Sequence, residues 1–404
     1  MVEIVDKKYD LVVFGASGFT GSLVVEHLSK NYKDSDLKWA VAGRNQAKLK
    51  GVCEKFNVDK EKIIVANVNQ KDSIRSMVAQ TKVVLTTVGP YLKYGDVLVE
   101  ACVELGAHYC DLTGEVPFIH NCIKKYEEKA KAAKVKIVHS AGFDAVPSDL
   151  GTLYLQEEYE KESGNYFKDV QYYLANAKGG FSRGTIDSLA AVIKLSNNSE
   201  IAKILANANS LTDLKPLYNE DQKKARYDDY YKSWTAPFMM ESINTRVVRR
   251  TNFLKDCAWG KEFSYHETSM TGKGSGAYIG AETIRFSMAA LMASAKRDFT
   301  WNLTKKILPK EGGGPDEKSR NEGFFISWIQ GNIEGKPQRK VVFKGPKDPG
   351  YGSTSIMLAE TAICLAKGQC NDNYGVSSTA SLVGTSLVER LRKFEFSIEY
   401  EHMN

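Results

Sequence analysis

The stretch DLVVFGASGFTGSLVVEHLSK, residues 10–30, changes its periodicity abruptly near its middle. A short apolar run leads into glycines at positions 15, 18 and 21, after which apolar residues recur at helical spacing. Glycines at the end of a strand permit a tight turn and a close approach of the backbone to a ligand or a neighbouring element. Free amides at the start of the following helix favour an anion. The stretch therefore predicts a strand, an anion-binding turn and a helix.

The first 140 residues repeat this alternation of strand and helix. Strands are predicted at 10–14, 37–42, 62–68, 82–88, 108–111 and 135–139, and helices near 20–32, 46–56, 71–80, 96–105 and 117–133. Almost continuously apolar strands are typical of a parallel sheet with helices on both faces, because crossover helices pack on each side. We therefore expect an α/β fold in which residues 1–150 form a Rossmann domain with a doubly wound parallel sheet.

The regular alternation of predicted strands and helices ends after residue 149. Helices are predicted at 149–161, 184–198, 355–367 and 382–393, strands at 168–176, 323–333, 338–344 and 394–400, and loops at 219–233 and 309–323. Ser148 or Asp149 is expected to cap the helix that begins near Leu150. We expect a second domain at 151–349 and a C-terminal segment at 350–404.

Composition restricts the class of protein. The chain has 404 residues, a length that favours two domains. Of these residues 43% are hydrophobic and 26% are charged, and the net charge is +6. Nucleic acid is not implied, because the basic residues are dispersed among acidic ones. Seven cysteines without a CxxC pair indicate a reducing compartment and no metal site.

No stretch is apolar over the length needed to span a bilayer, and the N-terminus lacks the apolar core of a signal peptide, so we expect an intracellular, cytoplasmic protein. Residues 286–295 and 356–366 are predicted to be core-facing helices, with peripheral attachment to lipid as the alternative. A location at lipid droplets or another organelle is the corresponding alternative. We expect a homo-oligomer or a member of a larger assembly.

The glycine spacing GxxGxxG, placed directly after the first strand of a βαβ series, predicts a dinucleotide site. The alternative is a purely structural turn. The residues predicted to contact the cofactor here are Gly15, Ser17, Gly18, Phe19, Thr20 and Gly21.

The tip of the second strand indicates which dinucleotide is bound. An NAD site would place Asp or Glu there, whereas this chain has Arg44 and Asn45. A guanidinium can pair with a ribose 2′-phosphate through two charge-assisted hydrogen bonds. We therefore expect NADPH rather than NADH, unless Arg44 is simply an exposed residue at a strand end.

Three later strand ends supply further candidates. Gly89, Pro90 and Tyr91 end the fourth strand at the carboxyl edge of the sheet, where open α/β folds bind ligands, and we expect them to bind the cofactor, with Tyr91 near its ribose or nicotinamide. The alternative is a plain turn. Asp111, Thr113 and Glu115 follow the fifth strand, and Asp144 follows the sixth without an obvious capping role. Asp144 is expected to orient substrate or nicotinamide.

Other enzyme classes fit less well. A short-chain reductase needs Lys four residues after Tyr on a helix, and none of the twenty tyrosines has it. The six histidines are scattered, and clustered Cys and His ligands for a catalytic metal are missing.

The segments GASGFTG, AGRN, TTVGPY, YCDLTGE and GFDAVPSDLG together resemble the saccharopine dehydrogenase-like oxidoreductase family, which includes the trans-acting enoyl reductases. SRGTIDS at 182–188 and GPKDPGYGSTSIMLAETAICL extend the resemblance over most of the chain. It implies NAD(P)-linked hydride transfer, an α+β substrate domain with a mixed sheet, and C-terminal helices that pack back on the Rossmann domain. Arg183 departs from the family's usual glycine and is a candidate either for recognising an acidic substrate or for obstructing the family's usual one.

Two functions remain open from the sequence. The first is an NADPH-dependent oxidoreductase that transfers a hydride to a C=N, C=O or activated C=C bond of a small-molecule or lipid-like substrate, with Tyr91, Asp144 and Arg183 as candidate catalytic residues. The second is a catalytically silent NAD(P)-binding scaffold, at a lipid surface or in an assembly.

Overall fold

Strands and helices alternate along the first third of the chain and then give way to a second strand-rich region. The computed structural model describes residues 7–179, 183–218, 220–306 and 314–403. Its strands are β1 Tyr9–Phe14, β2 Trp39–Gly43, β3 Ile63–Val65, β4 Thr81–Thr86, β5 His108–Asp111, β6 Lys136–Val138, β7 Asp169–Lys178, β8 Arg226–Asp228, β9 Ser233–Pro237, β10 Ser264–Gly272, β11 Phe324–Ile333, β12 Lys336–Gly345, β13 Gly375–Ser377 and β14 Ser397–His402.

The helices of the described residues are α1 Phe19–Asn31, α2 Gln46–Phe56, α3 Lys71–Val78, α4 Tyr91–Glu104, α5 Val116–Ala132, α6 Val146–Ser163, α7 Arg183–Leu195, α8 Ser199–Ala206, α9 Glu241–Leu254, α10 Gly274–Ala295, α11 Asp298–Thr304, α12 Glu317–Asn321, α13 Thr354–Ala366, α14 Thr379–Val383 and α15 Ser386–Arg392. A short 3₁₀ helix spans Lys60–Lys62, and a π-helical turn spans Pro349–Ser353.

The first sheet is parallel throughout and has the strand order β13-β6-β5-β4-β1-β2-β3. Its order reverses between β1 and β4, which leaves a crevice at the carboxyl ends of these strands. Leu11, Val13 and Val83 on one face of the central strands are completely buried, and so are Val12 and Val84 on the other face. This confirms the prediction of a doubly wound sheet covered on both faces.

The second sheet is mixed, with the order β14-β12-β11-β7-β10-β9-β8. Its strands β7 and β10 are parallel, whereas the other neighbours are antiparallel. Helix α6 leads from the first sheet into the second and packs on β11 and β12. Residues from α6, α9 and this sheet share one apolar core.

The last fifty residues contribute to both sheets. Helix α13 packs against α1 and the first sheet, where Leu358, Ala362 and Ile363 are completely buried. Strand β13 pairs with β6 at the edge of the same sheet, but β14 pairs with β12 at the edge of the second. The C-terminal segment therefore ties the two sheets together.

The prediction that Ser148 or Asp149 caps α6 is wrong. The helix begins at Val146 and its N-cap residue is Ala145, which makes no side-chain capping bond. Asp149 instead accepts hydrogen bonds from the Thr251 hydroxyl and from the Ala380 amide in the first turn of α14. The carboxylate stabilises the N-terminus of a helix that is distant in sequence, and residue spacing around position 149 does not predict such a contact.

Candidate active site

The loop between β1 and α1 is shaped by its glycines. Gly15 has φ +94°, a conformation that favours glycine, and its carbonyl accepts a hydrogen bond from Gly18 N at 2.8 Å. A Cβ atom at Gly21 would lie 2.2 Å from the Gly15 oxygen, so the helix can approach the strand only with glycine there. The loop is therefore closed on itself, with the start of α1 packed tightly behind it.

The outer surface of this loop fits a diphosphate. Gly18 is exposed at the N-terminus of α1, whose first-turn amides have no carbonyl partner within the helix. The amide of Ser22 is the first to bond back, to Gly18 O at 2.9 Å. Helix dipole and free amides together suit two phosphate groups, and the glycine leaves space for them to approach.

Arg44 and Asn45 lie at the tip of β2 with different local roles. Arg44 is exposed, whereas the Asn45 side chain accepts a hydrogen bond from Lys48 N at 3.0 Å and caps α2. Asn45 thus has a structural function whatever else it contacts. The exposed guanidinium of Arg44, at the carboxyl edge of the sheet beside the glycine loop, fits the phosphate of an NADP ribose.

Phe19 and Thr20 connect the loop to the rest of the molecule. The Phe19 ring contacts Tyr351 edge-on, with 4.5 Å between ring centroids, and the Arg320 guanidinium lies 5.5 Å from the Phe19 centroid. Thr20 lines a cavity described below, and Ser17 is half-buried beside Gly43. The predicted cofactor residues at 15–21 therefore form one continuous surface.

Gly89, Pro90 and Tyr91 form the wall of the cavity after β4. The carboxylate of Glu115 accepts hydrogen bonds from Tyr91 N at 2.9 Å and Leu92 N at 2.8 Å, so it closes the N-terminus of α4. The Tyr91 hydroxyl donates to Thr86 O at 3.2 Å, and burial raises its pKa well above the usual value. Tyr91 is held as a rigid wall.

Asp111 fixes the loops that follow β5 and β6. Its carboxylate accepts hydrogen bonds from the Thr113 amide at 3.0 Å, the Ser140 amide at 3.1 Å and the Tyr109 hydroxyl at 2.8 Å. His139 Nδ1 lies 2.8 Å from the same carboxylate. Asp111 is completely buried, so its function is to hold the strand ends rather than to meet a ligand.

Asp144 follows β6 and faces the cavity. Burial raises the pKa of its carboxyl to about 7, and no neighbouring charge or hydrogen bond is a cause of that shift. The amide of the preceding residue, Phe143, donates to the hydroxyl of Thr354 at 3.0 Å. This hydrogen bond ties the loop after β6 to the start of α13. A carboxyl with a pKa near neutrality can carry a proton at physiological pH and release it.

The cavity has a volume of about 500 Å³ and lies between the carboxyl edge of the first sheet and the helices of the second region. Sheet-edge residues Thr87, Leu112, Gly114 and Val116 join those already described. The opposite side is formed by Ser188, Leu189, Val192, Ile193, Leu205, Met239, Met240, Ser242, Ile243 and Met292. Asp144 is the one ionisable carboxyl in a mostly apolar lining among the described residues.

The structure brings some predicted residues together and leaves others apart. Thr20, Pro90, Tyr91 and Asp144 line one cavity, whereas Arg44 lies at the tip of β2, outside it. Arg183 begins α7, but its side chain lies outside the described residues. Ser188 of the same helix does reach the cavity.

Sequence reasoning missed the apolar side of the cavity. Met239 and Met240 lie between β9 and α9, Leu205 lies on α8, and Met292 lies on α10. None follows a glycine-rich turn or a strand end of the first sheet. Their only sequence signal is apolar character, which is equally typical of an ordinary core.

Residues 11–138 match the family model described as the saccharopine dehydrogenase NADP binding domain. A protein of Mycobacterium tuberculosis (strain ATCC 25618 / H37Rv) is 32% identical over 402 residues, covering 95% of this chain and 96% of that protein. Its name describes a trans-acting enoyl reductase and marks the description as provisional. The trans-acting enoyl reductase of Mycobacterium ulcerans is 29% identical over 403 residues, with the same coverage of 95% and 96%.

Among solved structures, the apo histidine-tagged saccharopine dehydrogenase (L-Glu forming) of Saccharomyces cerevisiae superimposes with a TM-score of 0.55. The alignment covers 98% of this chain and 99% of that one, at 12% sequence identity. At this identity the similarity shows the fold alone.

Proposed function

Because the chain belongs to the saccharopine dehydrogenase-like family of NADP-binding oxidoreductases, we propose that it reduces an activated C=C bond in an apolar, acyl-type substrate with NADPH. The observation that supports this most directly is the cavity beside Thr20, which is mostly apolar and holds the carboxyl of Asp144. Such a lining suits the alkyl part of an enoyl compound.

The same lining disfavours an amino-acid substrate. A substrate carboxylate buried in an apolar cavity needs a cation or several hydrogen-bond donors to replace its hydration. The described residues that line the cavity include no Lys, Arg or His. We therefore favour the C=C bond over the C=N bond of an imino acid, while Arg183, whose side chain is not described, remains a candidate for a polar group of the substrate.

When bound, NADPH supplies the hydride. The residues at 15–21 would hold its diphosphate, and Arg44 would hold its 2′-phosphate. Pro90 and Tyr91 would form a fixed surface beside the reacting end of the substrate. These residues contribute binding and orientation, which is the larger part of what a protein adds to cofactor chemistry.

Asp144 is our proposed proton donor. Reduction of an activated C=C bond needs a proton at the carbon next to the one that accepts the hydride. With its pKa raised to about 7 by burial, the Asp144 carboxyl can carry a proton at neutral pH. Tyr91 is the weaker candidate, because its hydroxyl already donates to Thr86 O.

The proposal is tested by following NADPH oxidation with two substrate panels. One panel contains enoyl thioesters of increasing chain length, and the other contains 2-oxo acids mixed with amines or amino acids. We expect oxidation with the enoyl panel, more efficient for longer chains, and mass spectrometry should show a saturated product. Oxidation confined to the second panel would contradict the proposal. Tight NADPH binding with no turnover on either panel would favour the scaffold alternative.

A further inference from the structure

Exposed apolar side chains are concentrated on two consecutive helices of the second region. Of the thirteen large hydrophobic residues exposed in the described chain, seven lie on α10 and α11, which indicates a surface with a partner. We call this the α10–α11 surface. Its members are Tyr278, Ile279, Ile284, Phe286, Met292, Phe299 and Leu303.

Helix α10 packs on β9 along one side, but most of its side chains remain exposed. Over its 22 residues only Ala281 and Ala295 are fully buried. Phe286 is 61% exposed and Ile279 is 63% exposed, and these two residues are seven apart and thus on one face of the helix. The apolar residues of α10 therefore do not contribute a face to the core in the ordinary way.

Helix α11 repeats the pattern on a smaller scale. Trp301 is buried and packs with Ala295 and Ile193, which anchors the helix. Phe299 is 76% exposed and Leu303 is 50% exposed, and both lie two residues from Trp301, on the opposite side. A helix anchored by one tryptophan while presenting a phenylalanine and a leucine to the outside is typical of an interfacial segment.

The charges beside these apolar residues are mainly positive. Lys296 and Arg297 are exposed between the two helices, and Lys305 and Lys306 follow α11. The nearby acids are already paired, Glu282 with Arg285 and Asp298 with Lys194.

This charge distribution distinguishes two kinds of partner. A second copy bound through the same surface in a two-fold dimer would place like charges opposite each other. An anionic surface would instead pair with the basic residues while it accepts the apolar ones.

We propose that the α10–α11 surface docks on a bilayer that contains anionic phospholipid. The rings of Phe286 and Phe299 enter the boundary between headgroups and acyl chains, and Lys296 and Arg297 contact the headgroups. Met292 of α10 also lines the cavity, so docking brings the cavity close to the bilayer surface. No helix in the described ranges is long and apolar enough to cross the bilayer, so attachment at the surface is the mode that fits.

The test is flotation with vesicles of phosphatidylcholine alone or mixed with phosphatidylserine. We expect the full chain to float with the mixed vesicles, to remain behind with the neutral ones, and to be released by high salt. The variant Lys296→Gln/Arg297→Gln should weaken binding by about 25-fold, since each basic residue near an anionic surface contributes a factor of about five. Phe286→Ser/Phe299→Ser should lose flotation.

The matched control is Ile333→Ser/Lys336→Glu, which changes an exposed apolar and an exposed basic residue of the β11–β12 hairpin. It should float like the unmodified chain. All variants should keep the same melting temperature and NADPH affinity, so failure of docking is distinguished from failure of the enzymatic proposal. Equal binding to neutral vesicles, or absence of flotation, overturns the proposal. Dissociation of a dimer by Phe286→Ser/Phe299→Ser, seen by sedimentation, would identify a second copy as the partner instead.

Discussion

The two sides of the cavity are built in different ways. The sheet side consists of strand ends and turns, where Thr20, Gly89, Pro90 and Asp144 have positions set by backbone geometry, and it continues outside the cavity into the glycine loop and the tip of β2. The helical side consists mainly of apolar side chains such as Met240 and Met292, which project from α7, α8, α9 and α10 or the loop before α9. A backbone-defined surface fits one cofactor, whereas a side-chain surface can be altered residue by residue. We infer that the sheet side determines the chemistry and the helical side determines the substrate.

The largest effect is expected from Gly18→Val. The φ of Gly18 is −78°, which any residue adopts, and a Cβ atom there would lie 3.2 Å from Gly15 O, so a small shift of the loop should preserve the fold while the new side chain occupies the space in front of the helix. Losing two hydrogen bonds to phosphate, at about 1.5–3 kcal/mol each, should weaken NADPH binding by at least about 100-fold and abolish turnover. Fluorescence titration with NADPH measures this. Gly51→Val is the control, because a Cβ atom there has no neighbour within 4 Å.

The next largest effect is expected from Asp144→Asn. An amide cannot replace a carboxyl as proton donor, so kcat should fall by about 10²–10⁴ while NADPH affinity remains the same. Ser242→Ala, which alters a polar side chain elsewhere in the lining, should change kcat much less. If both variants retain normal rates, Asp144 is not the donor.

The pH dependence provides a second signature of Asp144. Because its pKa is raised to about 7, kcat of the unmodified enzyme should decline as pH rises above 7. A carboxyl whose pKa is raised in the folded protein binds its proton more tightly there than in the unfolded chain. Its ionisation therefore destabilises the folded state progressively as the pH rises from the pKa of the unfolded chain to about 7. Asp144→Asn should therefore raise the melting temperature near pH 8 and lose most of this advantage near pH 4. A stability gain that is independent of pH would contradict this explanation.

A smaller effect that still belongs to the sheet side is expected from Arg44→Ala. Removal of a charge-assisted pair should weaken NADPH binding by about 1–3 kcal/mol and leave NADH binding almost unchanged. Lys50→Ala, an exposed basic residue on the neighbouring helix, is the control. Equal losses for the two nucleotides would show that Arg44 does not contact the 2′-phosphate.

The smallest effect is expected on the helical side, from Met292→Ala. Loss of a partly exposed apolar contact should reduce kcat/KM for long-chain, water-soluble enoyl thioesters by roughly fivefold, or about 1 kcal/mol, and leave short chains unaffected. Ile279→Ala on the same helix does not alter the cavity and is the control. If Met292→Ala lowered kcat/KM for every chain length, this would contradict the inference that the sheet side determines the chemistry and the helical side determines the substrate.

Much of the sheet side could be predicted from the sequence, because each of its signals is local. The predicted strands at 10–14 and 108–111 coincide with β1 and β5 to within a residue, and the glycine turn lies where the spacing indicates. The second region was predicted less completely. Residues 219–233 were expected to be a loop, yet they contain β8 and the start of β9, because β9 pairs with β10 and β8 with β9, and this pairing stabilises strands whose own sequence is polar.

Two helices show the limit of apolar periodicity most clearly. The prediction of a core-facing helix is confirmed for residues 356–366, since α13 is buried along its length. It is wrong for residues 286–295, where Phe286 of α10 is exposed. Both segments are rich in apolar residues, but α13 is enclosed between α1 and the first sheet, whereas α10 packs on β9 by one side and leaves most of its side chains exposed. Apolar periodicity identifies the apolar face of a helix, but the tertiary fold determines whether another element covers that face.

The distribution of the final segment between both sheets has a consequence for biosynthesis. The first six strands emerge from the ribosome early, but the apolar face that α13 covers stays open until residues 354–366 have been made. Its neighbours β13 and β14 then close one edge of each sheet at nearly the same moment. Domains of multidomain chains generally fold one after another during synthesis. Here the first sheet must wait for α13 and β13, so we expect a nascent chain of this protein to need protection from aggregation for longer than a simple tandem arrangement would.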